Sequence, residues 1–145
     1  MSDDLRLHFE RRLSVPSASV WRALTETSEW AKWWGPRGFT NLVEADVRVG
    51  GDYRITMKPP DGDAFHLRGE FREVVPNERL AYTFVWEEPD PDDIPAEVTV
   101  DLIDHDGATT MTVEHGPFKN AARMSPPRGG WTEGLEKLQA VLEDQ

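Results

Sequence analysis

Apolar and polar positions alternate from the start of the chain, with Arg6, His8 and Glu10 interleaved among Leu5, Leu7 and Phe9. A period of two sends successive side chains to opposite faces, which predicts a half-buried strand over about 5–13. Pro16 then supplies the backbone angle of a first helical turn. Val20, Trp21 and Leu24 share one helical face, so a short helix is predicted over 16–25. Ser28 is placed to cap a second short helix bearing Trp30, Trp33 and Trp34, which Gly35-Pro36 ends.

From Phe39 to His115 the period returns to two, broken by turn signals at Gly50-Gly51, Asp61-Gly62, Pro76-Asn77 and Asp106-Gly107. Consecutive antiparallel hairpins follow, with one face apolar: Tyr53, Ile55 and Met57, then Phe65, Leu67 and Phe71, then Leu80, Tyr82, Phe84 and Trp86, then Val98, Val100 and Leu102, then Met111 and Val113. Arg54, Lys58, His66, Arg68, Glu70, Arg72 and Asp101 fall on the opposite, solvated face. The acidic, proline-rich stretch from Glu87 to Pro95 cannot be a central strand and reads as a solvated connection. Ser125 followed by Pro126 has the form of a helix start. Trp131, Leu135, Leu138 and Leu142 then recur on one helical stripe, predicting an amphipathic helix over about 126–143. One strand, two short helices, six strands and a long helix predict an α+β fold in which the last helix covers the apolar sheet face. No repeat interrupts this order, and residues 1–145 read as a single domain.

Composition narrows the function. The chain has no cysteine, which excludes disulfides and thiol catalysis and fits a cytoplasmic setting. A net charge of −11 would repel phosphate backbones, so nucleic acid is not an expected partner. The amino terminus lacks the apolar stretch of a signal peptide, and no apolar run reaches the ~20 residues needed for a membrane span. The four histidines, His8, His66, His105 and His115, stand at no metal-ligand spacing, and no nucleophile-elbow, dinucleotide-binding or P-loop motif occurs. Neither a cofactor nor a metal is expected.

The most unusual local feature is four tryptophans, Trp21, Trp30, Trp33 and Trp34, within fourteen positions. They are core material by default, yet bulky rings at the mouth of a curved sheet also suit a small-molecule cavity. Adjacent Trp33 and Trp34 diverge on a helix, so one is expected in the core and the other toward the cavity.

The motif string Val20-Trp21-Arg22-Ala23-Leu24-Thr25, Trp33-Trp34-Gly35-Pro36, Asp46 through Gly50-Gly51 to Tyr53, Pro76-Asn77-Glu78-Arg79-Leu80 and Gly130-Trp131 resembles that of the heat-shock protein 90 ATPase activator homologue family, part of the START-like or SRPBCC superfamily. The resemblance runs from about Phe9 to Leu142. It implies a helix-grip fold, with six or seven curved antiparallel strands around a long C-terminal helix that help enclose an apolar cavity. Members bind lipids, hormones or polyketides, a few are cyclases or dehydratases, and one branch assists a chaperone. Fold alone does not choose among these.

The expected function is therefore non-enzymatic binding of an apolar or aromatic small molecule between sheet and helix. Trp34, Tyr53, Met57, Phe65, Tyr82, Trp86, Phe118 and Trp131 are the expected lining, with Met111 and Met124 lending an adaptable wall. The alternative is a cyclase or dehydratase using a carboxylate or His115, the one histidine at a strand end where a cavity could begin. Asp46 is a candidate base if desolvated, but reads better as the anchor of the turn at Gly50-Gly51. Arg79 reads as pairing with a carboxylate at the sheet edge. Gly134 in mid-helix implies either a crowded backbone or a space kept open for ligand; on the second view Gly134→Leu would cost affinity more than melting temperature.

A chaperone contact or a homodimer stays open. In the chaperone activator the corresponding domain follows a separate N-terminal domain. Only Met1 to Asp4 precede the first predicted strand here, so stimulation of a chaperone ATPase is not expected. A sheet edge or the acidic loop at 87–95, with Asp90, Asp92 and Asp93, would carry such a contact if one formed.

Overall fold

The computed structural model describes residues 5–143; Met1 to Asp4, expected to contribute nothing to a core, lie outside the described residues. The elements run β1 (Leu7–Leu13), α1 (Ser17–Thr25), α2 (Thr27–Trp33), β2 (Thr40–Ala45), β3 (Asp52–Lys58), β4 (Phe65–Val75), β5 (Arg79–Trp86), β6 (Ala96–His105), β7 (Ala108–Gly116) and α3 (Ser125–Glu143). The strands form one antiparallel sheet in the order β1-β7-β6-β5-β4-β3-β2, and the sheet curls around α3. The alternating positions inferred above are the buried ones: Ile55, Leu67, Phe71, Leu80, Val98, Val100, Met111 and Val113 are all at most 2% exposed. Trp131, Leu135, Leu138 and Leu142 of α3 meet them across the core.

The sheet bends where β4 crosses β5. The β4–β5 register shifts by one residue between Phe71↔Tyr82 and Glu73↔Ala81, while just before it Gly69 and Glu70 pair with Tyr53 and Asp52 of β3. Thr83 ties this region together: Glu70 N–H reaches its Oγ1 at 2.8 Å, and the Tyr53 hydroxyl donates to its carbonyl at 2.6 Å. A Cβ on residue 69 would lie on that carbonyl oxygen, so only glycine lets the strands close this tightly.

The helix ends depart from the expected caps. The residue before α2 is Glu26, and Ser28 lies inside the helix. Glu26 serves two helices at once, donating its N–H to Arg22 O at 2.9 Å to close α1 and accepting Trp30 N–H at 2.8 Å to open α2. Ser125 is already helical, because a short 3-10 turn (Ala121–Met124) precedes it and is capped by Asn120, whose Oδ1 accepts Arg123 N–H at 3.1 Å. At α1 the cap comes from across the fold: Pro16 has no side-chain acceptor, and Asp104 of β6 takes the Ser17 N–H at 3.0 Å. That bond and one from Gly107 N–H hold the Asp104 carboxyl below its ordinary range.

Arg79 pairs with Glu73 and Asp101 on the solvated face, at the start of the interior strand β5 rather than on an edge strand. Asp46 anchors its turn. Its carboxylate takes Arg48 Nε at 2.7 Å and its carbonyl takes Arg48 N–H at 2.9 Å, while its exposed side chain faces no cavity.

Gly134 is resolved as the crowded backbone. A Cβ there would stand 3.1 Å from Trp33 O and 3.4 Å from Gly35 N, so α3 lies directly against the carboxyl end of α2. Gly134→Leu is accordingly expected to destabilise the protein by about 1–3 kcal/mol through overpacking. Urea unfolding checks this; a gain in stability would show that α3 does not meet α2 there.

Candidate functional site

The carboxyl end of α2 determines where the aromatic rings go. Trp34 is the first residue past the helix, extended at ψ 137°. Leaving the helix cancels the divergence expected of neighbours, so its ring returns beside Trp33, with centroids 5.6 Å apart. Both rings are buried and both border the cavity between α2, α3 and the sheet, so the expected division, one to the core and one to the cavity, does not occur.

α3 holds this break in place. Lys137 Nζ donates to Trp34 O at 3.1 Å and Pro36 O at 3.3 Å, and Asn41 Nδ2 donates to Trp34 O at 2.8 Å and Ala31 O at 3.2 Å. Glu133 accepts Arg37 N–H at 2.8 Å. The carbonyls that a helix end leaves orphaned are thus taken by neighbouring elements. Desolvation and the nearby Arg37 lower the pKa of Lys137.

Between this end of α2, the first turns of α3 and the concave sheet lies a cavity of about 470 Å³. Trp33 and Trp34 meet Trp131 of α3 on one side, while Met57, Phe65, Phe84 and Trp86 line it from β3, β4 and β5. Phe39, Pro36, Phe118, Pro126, Pro127 and Gly130 complete the apolar wall. The rings pack edge to face: Trp34 on Trp131 at 76°, Phe84 on Trp86 at 88°, Phe39 on Phe65 at 83°.

Of the expected lining, Trp34, Met57, Phe65, Trp86, Phe118 and Trp131 border this cavity. Tyr53 and Tyr82 do not. Both are 2% exposed and lie beneath Trp30, whose ring is 5.5 and 5.8 Å from theirs, and Tyr53 spends its hydroxyl on Thr83. Burial raises the pKa of both phenols, with Tyr82 adding to the rise at Tyr53. Met111 and Met124 both belong to the buried core, and neither borders the cavity.

The rim is charged, and sequence reasoning missed how. Arg123 reaches Asp93 Oδ1 through Nε at 3.2 Å and Nη2 at 3.0 Å, and Asp90 Oδ2 through Nη2 at 2.9 Å. Lys119 pairs with Asp92 at 3.1 Å. The acidic loop expected to be merely solvated is therefore pinned to the segment that leads into α3. Glu88 also borders the cavity and holds the edge of β4, accepting His66 N–H and pairing with Nδ1, each at 2.8 Å. His66, Glu87 and Glu88 converge closely enough to suggest a metal site, but Glu87 gives both oxygens to Arg54, at 2.7 and 2.9 Å.

His115 lies behind the wall, fully buried between Phe84 and Phe118, with ring centroids at 4.2 and 4.9 Å. Its Nδ1 accepts the Trp131 indole N–H at 2.9 Å, so the neutral ring carries its proton on Nε2. Nε2 and the indole nitrogens of Trp30 and Trp34 have no hydrogen-bond partner among the described residues. Desolvation pushes the pKa of His115 down to about 3, from an ordinary 6.5.

A curled antiparallel sheet gripping one long helix, with a cavity at one end of the grip, defines the helix-grip class. Residues 14–143 match the family described as activator of Hsp90 ATPase homolog 1-like protein, and the chain belongs to that family. It is similar to a crystal structure from Chromobacterium violaceum, with 29% identity, a TM-score of 0.86, and coverage of 96% of this chain and 97% of that one. A crystal structure from Mesorhizobium loti is 26% identical, with a TM-score of 0.79 and coverage of 97% and 98%. The AHSA1 protein from Silicibacter pomeroyi, at 24% identity, shares the fold with a TM-score of 0.78 and coverage of 94% and 96%. No curated protein matches the sequence. Among the described residues, no helix is long and apolar enough to cross a membrane.

The burial of His115 makes acid sensitivity testable. The unfolded imidazole takes up a proton near pH 6.5 and the folded one only near 3, so stability is complete above 6.5 and falls as the pH drops toward 3. This group contributes a slope of about 1.4 kcal/mol per pH unit in that window. His115→Asn keeps an acceptor for Trp131 and removes the titration. Urea unfolding from pH 6 down to 4 should show a flatter decline for the variant; an unchanged slope would mean that His115 is not buried neutral.

Proposed function

We propose that this chain, acting as one START-like domain, binds a small apolar or aromatic molecule in the cavity between the sheet and the first turns of α3, without transforming it. The observation that carries the proposal is the cavity itself: about 470 Å³, walled by rings on rigid elements and within the usual size range of small-molecule sites. Membership of the activator homologue family agrees with this, since START-like proteins commonly hold hydrophobic ligands.

Of the enzymatic alternative's two candidates, His115 is buried behind Phe84 and Phe118 with a pKa near 3 and does not border the cavity, whereas carboxylates, Glu88, Asp90 and Asp93, do stand at its rim. Of the two surfaces a chaperone contact could use, a sheet edge or the acidic loop, the loop's Asp90, Asp92 and Asp93 are engaged by Arg123 and Lys119 of the same chain.

Gly130 provides the test, because a Cβ there would meet only Pro36, at 3.8 Å, while a longer side chain would extend into the cavity. With naphthylmethanol as the probe, isothermal titration should show saturable binding to the native chain and at least about tenfold weaker binding to Gly130→Leu. The same substitution should leave the melting temperature equal or higher, since leucine gains roughly 1 kcal/mol of helix propensity over glycine. Undiminished affinity in Gly130→Leu would place the probe elsewhere, and absence of binding to the native chain would remove the proposal.

A further inference from the structure

Resting on the cavity reading just given, we infer that the natural ligand is a cation: a ring system or apolar body bearing an amine or quaternary ammonium group, with its charge at the rim beside Glu88, Asp90 and Asp93. Three carboxylates border the cavity and Arg123 is the one cation among its described lining residues, leaving a formal excess of two negative charges at the mouth. Arg123 is already neutralised. Its Nε and Nη2 are held by Asp93 and its Nη2 also by Asp90, which leaves a ligand carboxylate only the Nη1 edge, beside two carboxylates already in place. Glu88 is countered only by hydrogen bonds from His66, and its side chain remains 52% exposed.

The wall favours the same ligand for a separate reason. Aromatic faces carry negative potential and attract ammonium groups, most strongly on tryptophan. Phe84 against Trp86 at 88° and Trp34 against Trp131 at 76° set neighbouring walls almost perpendicular, so the cavity presents π faces as well as edges. A neutral apolar molecule would use the rings and gain nothing from the rim. An anion would use the rings and be repelled. Only a cation gains from both, and the net charge of −11 also draws it toward the protein.

Three probes of one shape separate the contributions: naphthylmethylammonium, naphthylmethanol and naphthoate, each titrated calorimetrically into the full chain at neutral pH. The expected order is cation, neutral, anion, with the cation at least about tenfold tighter than the anion at low salt. The gap should narrow at high salt, where rim charges are screened over about 3 Å at 1 M. It should narrow likewise in Glu88→Gln and Asp90→Asn, both exposed positions whose variants are first checked for native melting. If naphthoate binds as tightly as the cation, or the order survives unchanged in both variants, the inference is overturned while binding of naphthylmethanol leaves the cavity reading standing. Failure of all three probes to bind overturns both.

Discussion

The carboxyl end of the second short helix cannot stand alone. The last helical hydrogen bond runs from Trp34 N–H to Trp30 O, and the carbonyls left over at this end, among them those of Ala31 and Trp34, must find donors inside the protein. Lys137 of α3 and Asn41 of β2 supply them, and Gly134 lets the two helices approach to backbone contact. This junction sets the distance between α2 and α3. It fixes Trp33 and Trp34 against Trp131, and thereby decides how much of the sheet's concave face is covered.

Below the junction the grip is filled. Leu135, Leu138 and Leu142 descend α3 into the buried core that also holds Leu7, Leu13 and Val113, and replacing one such leucine by alanine typically costs about 2–5 kcal/mol. Above it α3 reads Pro126, Pro127, Arg128, Gly129 and Gly130, which offers little bulk to meet Phe65, Phe84 and Trp86. The same helix thus closes the core with one half and leaves space with the other. The pinning of loop 87–95 by Arg123 and the hydrogen bond from Trp131 to His115 hold the borders of that space without filling it.

Strand faces were legible because burial on one side of a sheet imposes a period of two, and a slip of one residue would turn Leu67 and Val98 into water. The helix starts were less so. Ser28 and Ser125 have the chemistry of caps, but Glu26 joins α1 and α2 without a linker, and Asn120 opens a 3-10 turn that sequence periodicity does not register. Within the site, alternation says which face a side chain takes but not what lies over it. Tyr53 and Tyr82 share the face of Met57 and Trp86, yet Trp30 roofs the first pair and leaves the second open. Phe84, on that same face, could have been assigned to the cavity by the signal that pointed to Trp86. The salt links of Arg123 to Asp90 and Asp93 span some thirty positions, and no local pattern announces them.

The claim on which the account turns is that a small molecule seats itself between Trp86 of the sheet and Trp131 of the gripping helix. Indole ¹⁵N–¹H spectra give one signal for each of the six tryptophans, assignable by single Trp→Phe substitutions. Titrating naphthylmethanol should move the Trp34, Trp86 and Trp131 signals along a common saturating curve and leave Trp21, on α1 away from the cavity, in place. A Trp21 shift as large as theirs, or shifts that never saturate, would contradict it.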